Sequence, residues 1–304
     1  MGYMEKRKKD RRSARIAVVS SSLMCLATVL PFFVEPLFII SDLRFHMVGI
    51  GAGLCLLFSS EKRTRLAFLM AALALFNLMV VTAKTDLVRP ETKDYHHSFS
   101  LAFYNLHDGK HGNLAERIRI SSAGTDMVAV RGVAGSWDSA KLAENLSDVY
   151  PQALVFEDEA FLAKTAWTAT GKVGRSSWFA FQGKKSKPFI VMTAFIVRPF
   201  GNQKAASAEV EKLTDFISTN STSMIVVGGF GASAWNSLMQ PFLSRGMLRT
   251  DSLLYPTWPA ALPWPLRLSH DYAFYHPGIA VLESRTLPAE GLGHLPVYYR
   301  FGIK

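Results

Sequence analysis

Hydrophobic positions follow two unlike patterns along this chain: unbroken apolar runs up to residue 83, then short alternations of apolar and polar residues from residue 84 onward. Residues 16–34 (IAVVSSSLMCLATVLPFFV) and 66–83 (LAFLMAALALFNLMVVTA) contain no charge, and each is near the roughly 20 residues that an α-helix needs to cross a bilayer. Residues 45–58 (FHMVGIGAGLCLLF) are apolar but shorter. They reach spanning length only if Leu43, Arg44 and Ser59 join, with Arg44 and His46 reaching back to the interface. An interfacial or re-entrant segment is the competing reading for this stretch. About three transmembrane helices over residues 16–83 are therefore expected.

Beyond them, runs rich in β-branched and aromatic residues predict strands at 98–105, 126–133, 165–170, 177–182, 188–197, 224–230, 271–275, 279–284 and 296–301, with a further strand at 154–156. Apolar positions at three and four spacing predict helices at 113–122, 136–149, 205–219 and 234–245, and Gly183 to Lys187 reads as a hairpin turn. Strands joined by hairpins and interrupted by single helices make an α/β domain over residues 98–304, after a short linker at 84–97.

Charge sharpens the membrane reading. The formal net charge is +10, which spread over a folded surface would point to nucleic acid. Much of it sits instead in residues 1–15, where Lys6, Arg7, Lys8, Lys9, Arg11, Arg12 and Arg15 face only two acids. Lys62, Arg63 and Arg65 follow the second apolar run. Three spans place this basic tail and the Lys62 loop together on the cytoplasmic side and send the C-terminal domain across, into the space outside the plasma (inner) membrane. A cleaved signal peptide is disfavoured, because the first run ends at Glu35-Pro36 without a small-x-small site. Both cysteines, Cys25 and Cys55, lie in the apolar runs, so the rest of the chain has neither a disulfide framework nor a cysteine zinc site.

Four segments in order are more specific: FYNLHDGKHGN (103–113), TDMVAVRGV (125–133), VVGGFGASAWNSLM (226–239), and the closing stretch from YPTWPAALPWPLRLSHDYAFYHPGIAV (255–281) to GLGHLPV (291–297). Their order and spacing resemble the endonuclease/exonuclease/phosphatase superfamily. The resemblance covers residues 98–304 and implies a DNase I-like, four-layer α/β/β/α sandwich with its active cleft at one edge. It also implies metal-assisted phosphoester hydrolysis, in which Mg²⁺ held by carboxylates neutralises the phosphate, an Asp or Asn orients water and a His donates to a phosphate oxygen.

By that resemblance three site positions are kept: Asn105 as the strand-end Asn, His294 as the catalytic His, and Asp271 as the Asp that orients it. Others are lost. Gly132 stands where the metal-binding Glu is expected, Gly229 and Gly231 replace the Asp and Asn of the Gly-Asp-x-Asn motif, Thr193-Ala194-Phe195 replaces Thr-His-Leu, and Gly293 replaces the Asp before the terminal His. Removing single groups of such sites costs about 10²- to 10³-fold each. The expectation is a catalytically degraded member with no cofactor, binding a phosphorylated or envelope ligand or a partner protein beside the lipid bilayer. Two alternatives stand beside it: a weak Mg²⁺- or Mn²⁺-dependent phosphoesterase using the His294–Asp271 pair, and a structural membrane scaffold.

Other candidates read more plainly. His96, His97, His107 and His111 lie close in sequence, but Gly109 and Gly112 break any helical i, i+4 pair and no carboxylate motif accompanies them, so zinc is disfavoured. Glu157, Asp158 and Glu159 read as a solvated turn. Lys184, Lys185 and Lys187 read as an exposed hairpin tip without the aromatics of a nucleic-acid surface. Gly228, Gly229 and Gly231 resemble a phosphate loop but lack its Lys and Ser/Thr. Trp258 and Trp264, in a proline-rich stretch, either line a recognition loop or pack beneath it.

Overall fold

Leucine and alanine are the commonest residues of the N-terminal runs and lose little side-chain freedom in a helix. The computed structural model folds these runs into α1 (Gly2–Val29), α2 (Arg44–Ser60) and α3 (Thr64–Thr82). It describes residues 2–32, 40–86, 95, 97–106, 113–132, 139–156, 158–182, 187–196, 202–246, 248–251 and 255–303. One compact unit runs through Ala83 and takes in Trp235–Ser237; the other comprises Lys84–Ala234 and Leu238–Lys304.

In the first unit all three helices are long and apolar enough to cross a membrane, the middle one over Ile40–Ser60. The short central run thus gains its length as expected. The basic stretch expected as a tail belongs to the opening turns of α1. Side chains such as Val18, Leu23, Leu56 and Phe68 point outward, whereas Ala17, Met24, Met47, Phe58, Ala67 and Met70 pack inside. Gly51 lets α2 approach α3 closely, since a Cβ there would lie 2.9 Å from the Ala74 Cβ. Arg44 departs from expectation. It does not reach outward but is buried, donating from Nη1 to Asn77 Oδ1 at 3.0 Å, while Asn77 Nδ2 donates to Thr28 Oγ1 at 3.0 Å. Inside apolar surroundings a guanidinium needs such acceptors, and one polar chain thereby joins all three helices.

The second unit contains β1 (His97–Asn105), α4 (Leu114–Ser121), β2 (Met127–Arg131), α5 (Ser139–Asn145), β3 (Gln152–Phe156), β4 (Glu159–Ala163), β5 (Ala169–Val173), β6 (Ser176–Phe181), β7 (Phe189–Phe195), α6 (Gln203–Thr219), β8 (Ser223–Gly229), α7 (Gln240–Ser244), β9 (Arg249–Thr250), β10 (Asp271–Tyr275), β11 (Ile279–Thr286) and β12 (Val297–Ile303). These strands form two six-stranded sheets, ordered β11-β12-β1-β2-β4-β3 and β5-β6-β7-β8-β10-β9. Each sheet is mixed: β1 and β2 run parallel in the first and β7 and β8 in the second, while the other pairs are antiparallel.

Period-2 alternation explains the layering. Phe99, Leu101 and Phe103 of β1 enter one core with Phe179, Phe181, Phe189, Val191, Ile225 and Val227 of the other sheet. The intervening Ala102 and Tyr104 pack outward against Leu114 and Ile118 of α4 and Leu142 of α5. On the far side Ile190, Met192, Val226 and Phe274 pack against Val210, Leu213 and Ile217 of α6 and Phe242 of α7. Helix, sheet, sheet, helix is the four-layer sandwich that the resemblance implied.

Several elements differ from the sequence reading. Only the end of the run at 165–170 is a strand, since β5 begins at Ala169, and the partly buried Trp167 before it lies edge-on to Phe161 and Phe179, covering the core. A 3₁₀ turn at Ser237–Met239 and the short α7 replace the long helix expected at 234–245. β4 and β9 were not anticipated. The helix expected at 136–149 is present as α5, its first residues lying outside the described ones. Most of the hairpin tip, with Lys184 and Lys185, also lies outside them, although β6 and β7 pair antiparallel as a hairpin requires. His96, His107, His111 and Glu157 are likewise undescribed.

Candidate active cleft

One step beyond the aromatic core, the inward phase of the strands turns polar at a single end of the sandwich. Asn105 follows Phe103, Arg131 follows Ala129, and Glu159 precedes Phe161; the register aligns Asn105 with Arg131 and Arg131 with Glu159. In the facing sheet, Ser177 pairs with Thr193, and Gly229 pairs with both Phe195 and Asp271. Strand ends of both sheets therefore converge on one edge, where inward positions carry polar groups in place of phenylalanine and valine.

The first cluster forms around Asp271, which is buried. Asn105 Nδ2 donates to its Oδ1 at 2.7 Å, crossing from one sheet to the other. His294 Nδ1 and Thr257 Oγ1 both bond its Oδ2, at 2.6 Å and 2.5 Å, and the Asp271 backbone N–H donates back to Thr257 Oγ1 at 3.2 Å. Loops hold these partners in place: Leu295 N–H donates to the Thr257 carbonyl at 3.0 Å and Ala260 N–H to the Gly293 carbonyl at 2.9 Å. Burial pushes the Asp271 carboxyl up, but the charge of His294 and the three donors outweigh it and hold the group below the ordinary carboxylate value. An ionised Asp271 fixes the imidazole by its Nδ1–H, the arrangement of an orienting carboxylate and an acid/base histidine. Trp258 stacks on His270 with ring centroids 5.1 Å apart and lies 6.2 Å from His294, so it packs beside this cluster; Trp264 is exposed.

Gly229 explains the position of Asn105. A Cβ at Gly229 would lie 2.5 Å from Asn105 Nδ2 and 3.0 Å from Asp271 Oδ1. The space that a side chain at this position would take is filled by the Asn105 amide. Gly231 adopts φ +61°, a conformation open to glycine and to few other residues.

The second cluster was missed by sequence reasoning. Glu159, expected in a solvated turn, is buried at the start of β4. Arg131 Nη1 donates to its Oε2 at 3.0 Å, Ser177 Oγ donates to the same oxygen at 2.9 Å, and Thr193 Oγ1 donates to Oε1. Arg131 Nη2 donates to the Arg175 carbonyl at 2.8 Å and stands 3.7 Å from Asp158 Oδ2. The guanidinium carbons of Arg131 and Arg175 lie 4.5 Å and 3.9 Å from the centroid of Phe195. Burial works against both charges, raising the Glu159 carboxyl and lowering the Arg131 guanidinium, while each charge favours the other. A guanidinium keeps its proton in proteins, so the carboxylate stays paired with it. The signal in the sequence was phase: Glu159 shares the inward parity of Phe161 and Ala163, and Arg131 that of Met127 and Ala129.

These donors do not suit a divalent cation of the kind the fold implies. Asp271 is committed to His294, Thr257 and Asn105, Glu159 is committed to Arg131, Ser177 and Thr193, and Gly132 and Gly229 offer no ligand atom. Among the described residues no three His, Cys, Asp or Glu side chains group together as metal ligands.

The sandwich has the DNase I-like fold of endonuclease/exonuclease/phosphatase proteins. Similar solved structures include a family protein from Bacteroides thetaiotaomicron (14% identity, 68% of this chain and 98% of that one, TM-score 0.55). Another is a family protein from Beutenbergia cavernae (13%, 68% and 72%, TM-score 0.53). A third is the human Nocturnin catalytic domain with bound sulfate anion (15%, 72% and 97%, TM-score 0.51). No family model matches the sequence, and no curated protein matches it.

Proposed function

We propose that this chain is a membrane-anchored domain of the endonuclease/exonuclease/phosphatase fold that has lost metal-dependent hydrolysis and binds a phosphorylated or envelope ligand in the former substrate cleft. The observation that carries this reading is the commitment of both cleft carboxylates, Asp271 and Glu159, to protein donors. The space above Gly229, where the resemblance expects a water-orienting Asp, is taken by Asn105. His294, oriented by Asp271, remains as a donor for an anion, and the sulfate held by the similar Nocturnin domain supports an anionic ligand. The three apolar helices anchor the domain. The basic residues before the first span and between the second and third put the N-terminus in the cytoplasm and the domain outside it.

The test uses the full chain in detergent, assayed with p-nitrophenyl phosphate and bis-p-nitrophenyl phosphate in Mg²⁺ or Mn²⁺, and melted with and without inorganic phosphate. No turnover and a phosphate-dependent rise in Tm that His294→Ala abolishes are expected. Metal-dependent turnover lost in His294→Ala would replace this reading by the second one, a weak phosphoesterase, which the 2.6 Å His294–Asp271 bond favours. Neither turnover nor a shift would leave a structural scaffold.

A further inference from the structure

The Arg131 guanidinium sits in a cage with three oxygen atoms around it and the Phe195 ring 4.5 Å away. Glu159 Oε2 at 3.0 Å, the Arg175 carbonyl at 2.8 Å and Asp158 Oδ2 at 3.7 Å surround it, and the hydroxyls of Ser177 and Thr193 close on the same carboxylate. Arg131 is 5% exposed and Glu159 2%, and the buried Arg131 Nε has no hydrogen-bond partner. Two carboxylates and a carbonyl are the donor types that hard cations such as Mg²⁺, Mn²⁺ and Ca²⁺ take. Here they face a guanidinium, while the two hydroxyls bond the Glu159 carboxylate. Charge balances locally, since Arg131 and Arg175 offset Asp158 and Glu159, and Asp158 Oδ2 also stands 3.7 Å from Arg175 Nη2.

None of Asp158, Glu159, Arg175 and Ser177 belongs to the motifs that carried the resemblance. The cage is also separate from Asp271, whose bonds run to Asn105, Thr257 and His294. It ties the sheets together, because Arg131 and Glu159 lie on β2 and β4 while Ser177 and Thr193 lie on β6 and β7.

We infer that Arg131 is a built-in cation, its guanidinium filling an oxygen cage that takes a divalent metal ion once that guanidinium is removed. The cleft edge is closed by a covalently attached charge, so the fold needs no metal there. Truncating Arg131 leaves Glu159 buried without its counter-charge, beside Asp158, in a space vacated by several heavy atoms and bordered by three oxygens and the Phe195 ring. A small hard cation restores both the charge and the contacts. This holds whether or not the cleft binds a phosphorylated ligand.

The experiment melts the full chain in detergent at mildly alkaline pH during titration with MnCl₂ or MgCl₂. Tm of the unaltered protein is expected to stay constant. Arg131→Ala is expected to melt lower and to regain Tm in a saturable manner as Mn²⁺ is added, and Arg131→Ala/Glu159→Gln is expected to lose that response. Arg131→Gln, which keeps more of the side-chain volume, serves as the second variant. A flat titration of the Arg131 variants, an equal response in the unaltered protein, or a response that survives Glu159→Gln would overturn the inference. So would failure of both variants to fold when they are expressed and purified with Mn²⁺ throughout.

Discussion

Substituting Gly229 by alanine tests whether the glycine is there because Asn105 occupies its side-chain space. The new Cβ would lie 2.5 Å from Asn105 Nδ2, whereas non-bonded atoms settle at about 3.5 Å or more. The amide must retreat by roughly 1 Å, which takes its 2.7 Å bond to Asp271 past hydrogen-bonding range. A lost hydrogen bond to a charged group costs about 1.5–3 kcal/mol, and replacing a strand glycine by alanine returns about 0.5–1 kcal/mol. The net loss is about 0.5–2.5 kcal/mol, or a Tm lower by about 1–10 °C for a unit the size of residues 84–304. In an Asn105→Ala background the amide is gone, and Gly229→Ala is expected to cost clearly less, its Cβ meeting only Asp271 Oδ1 at 3.0 Å. Gly228→Ala is the control, since its Cβ would meet the Ala194 carbonyl oxygen at 2.4 Å, backbone that no rotamer change can move. It is expected to destabilise both backgrounds alike. The assay is tryptophan-fluorescence melting of the full chain and the five variants in detergent. Equal losses from Gly229→Ala in both backgrounds, within about 0.5 kcal/mol, would refute the reasoning.

Two further outcomes are expected. Because Asp271 titrates below its ordinary value in the folded protein, its contribution to stability is present at neutral pH and is lost as pH falls through that lowered value. Asn105→Ala removes one of the donors that hold it down, so the acid decline of Tm should begin at higher pH; superimposable melting profiles between about pH 2 and 5 would contradict this. In the helical unit, Asn77→Leu removes one of the acceptors of Arg44, the other being the Thr28 carbonyl, and should lower resistance to unfolding in SDS by about 0.6–2 kcal/mol. An unchanged transition would mean that Arg44 is satisfied elsewhere.

The long apolar runs and the strongly alternating strands were legible because their signal is local. β1, β8 and β10 carry it within their own residues, and motif spacing found Asn105, Asp271 and His294, which the fold brings together around one carboxylate. β4 was not legible: Glu159, a buried charge at the first position of the strand, looks like part of the acidic turn before it. What makes it a strand residue is Arg131, 28 positions away, and two hydroxyls on the opposite sheet. Trp167 misled in the other direction, since an aromatic that covers a core edge has the composition of a strand without its pairing. Arg44 was misplaced for a similar reason, as only tertiary structure supplies Asn77 and Thr28 to a guanidinium that would otherwise extend toward water.

The overlap between Asn105 and the space above Gly229 makes the order of sequence changes matter. A carboxylate placed at 229 while Asn105 stays put has nowhere to go and disturbs the hydrogen bonds of Asp271. Placed after Asn105 has been shortened or turned aside, it loses the 2.5 Å clash and keeps only the 3.0 Å approach to Asp271 Oδ1. The two positions therefore set an order for redesign: a route that changes 229 first passes through a damaged Asp271 cluster, whereas one that clears Asn105 first disturbs it less.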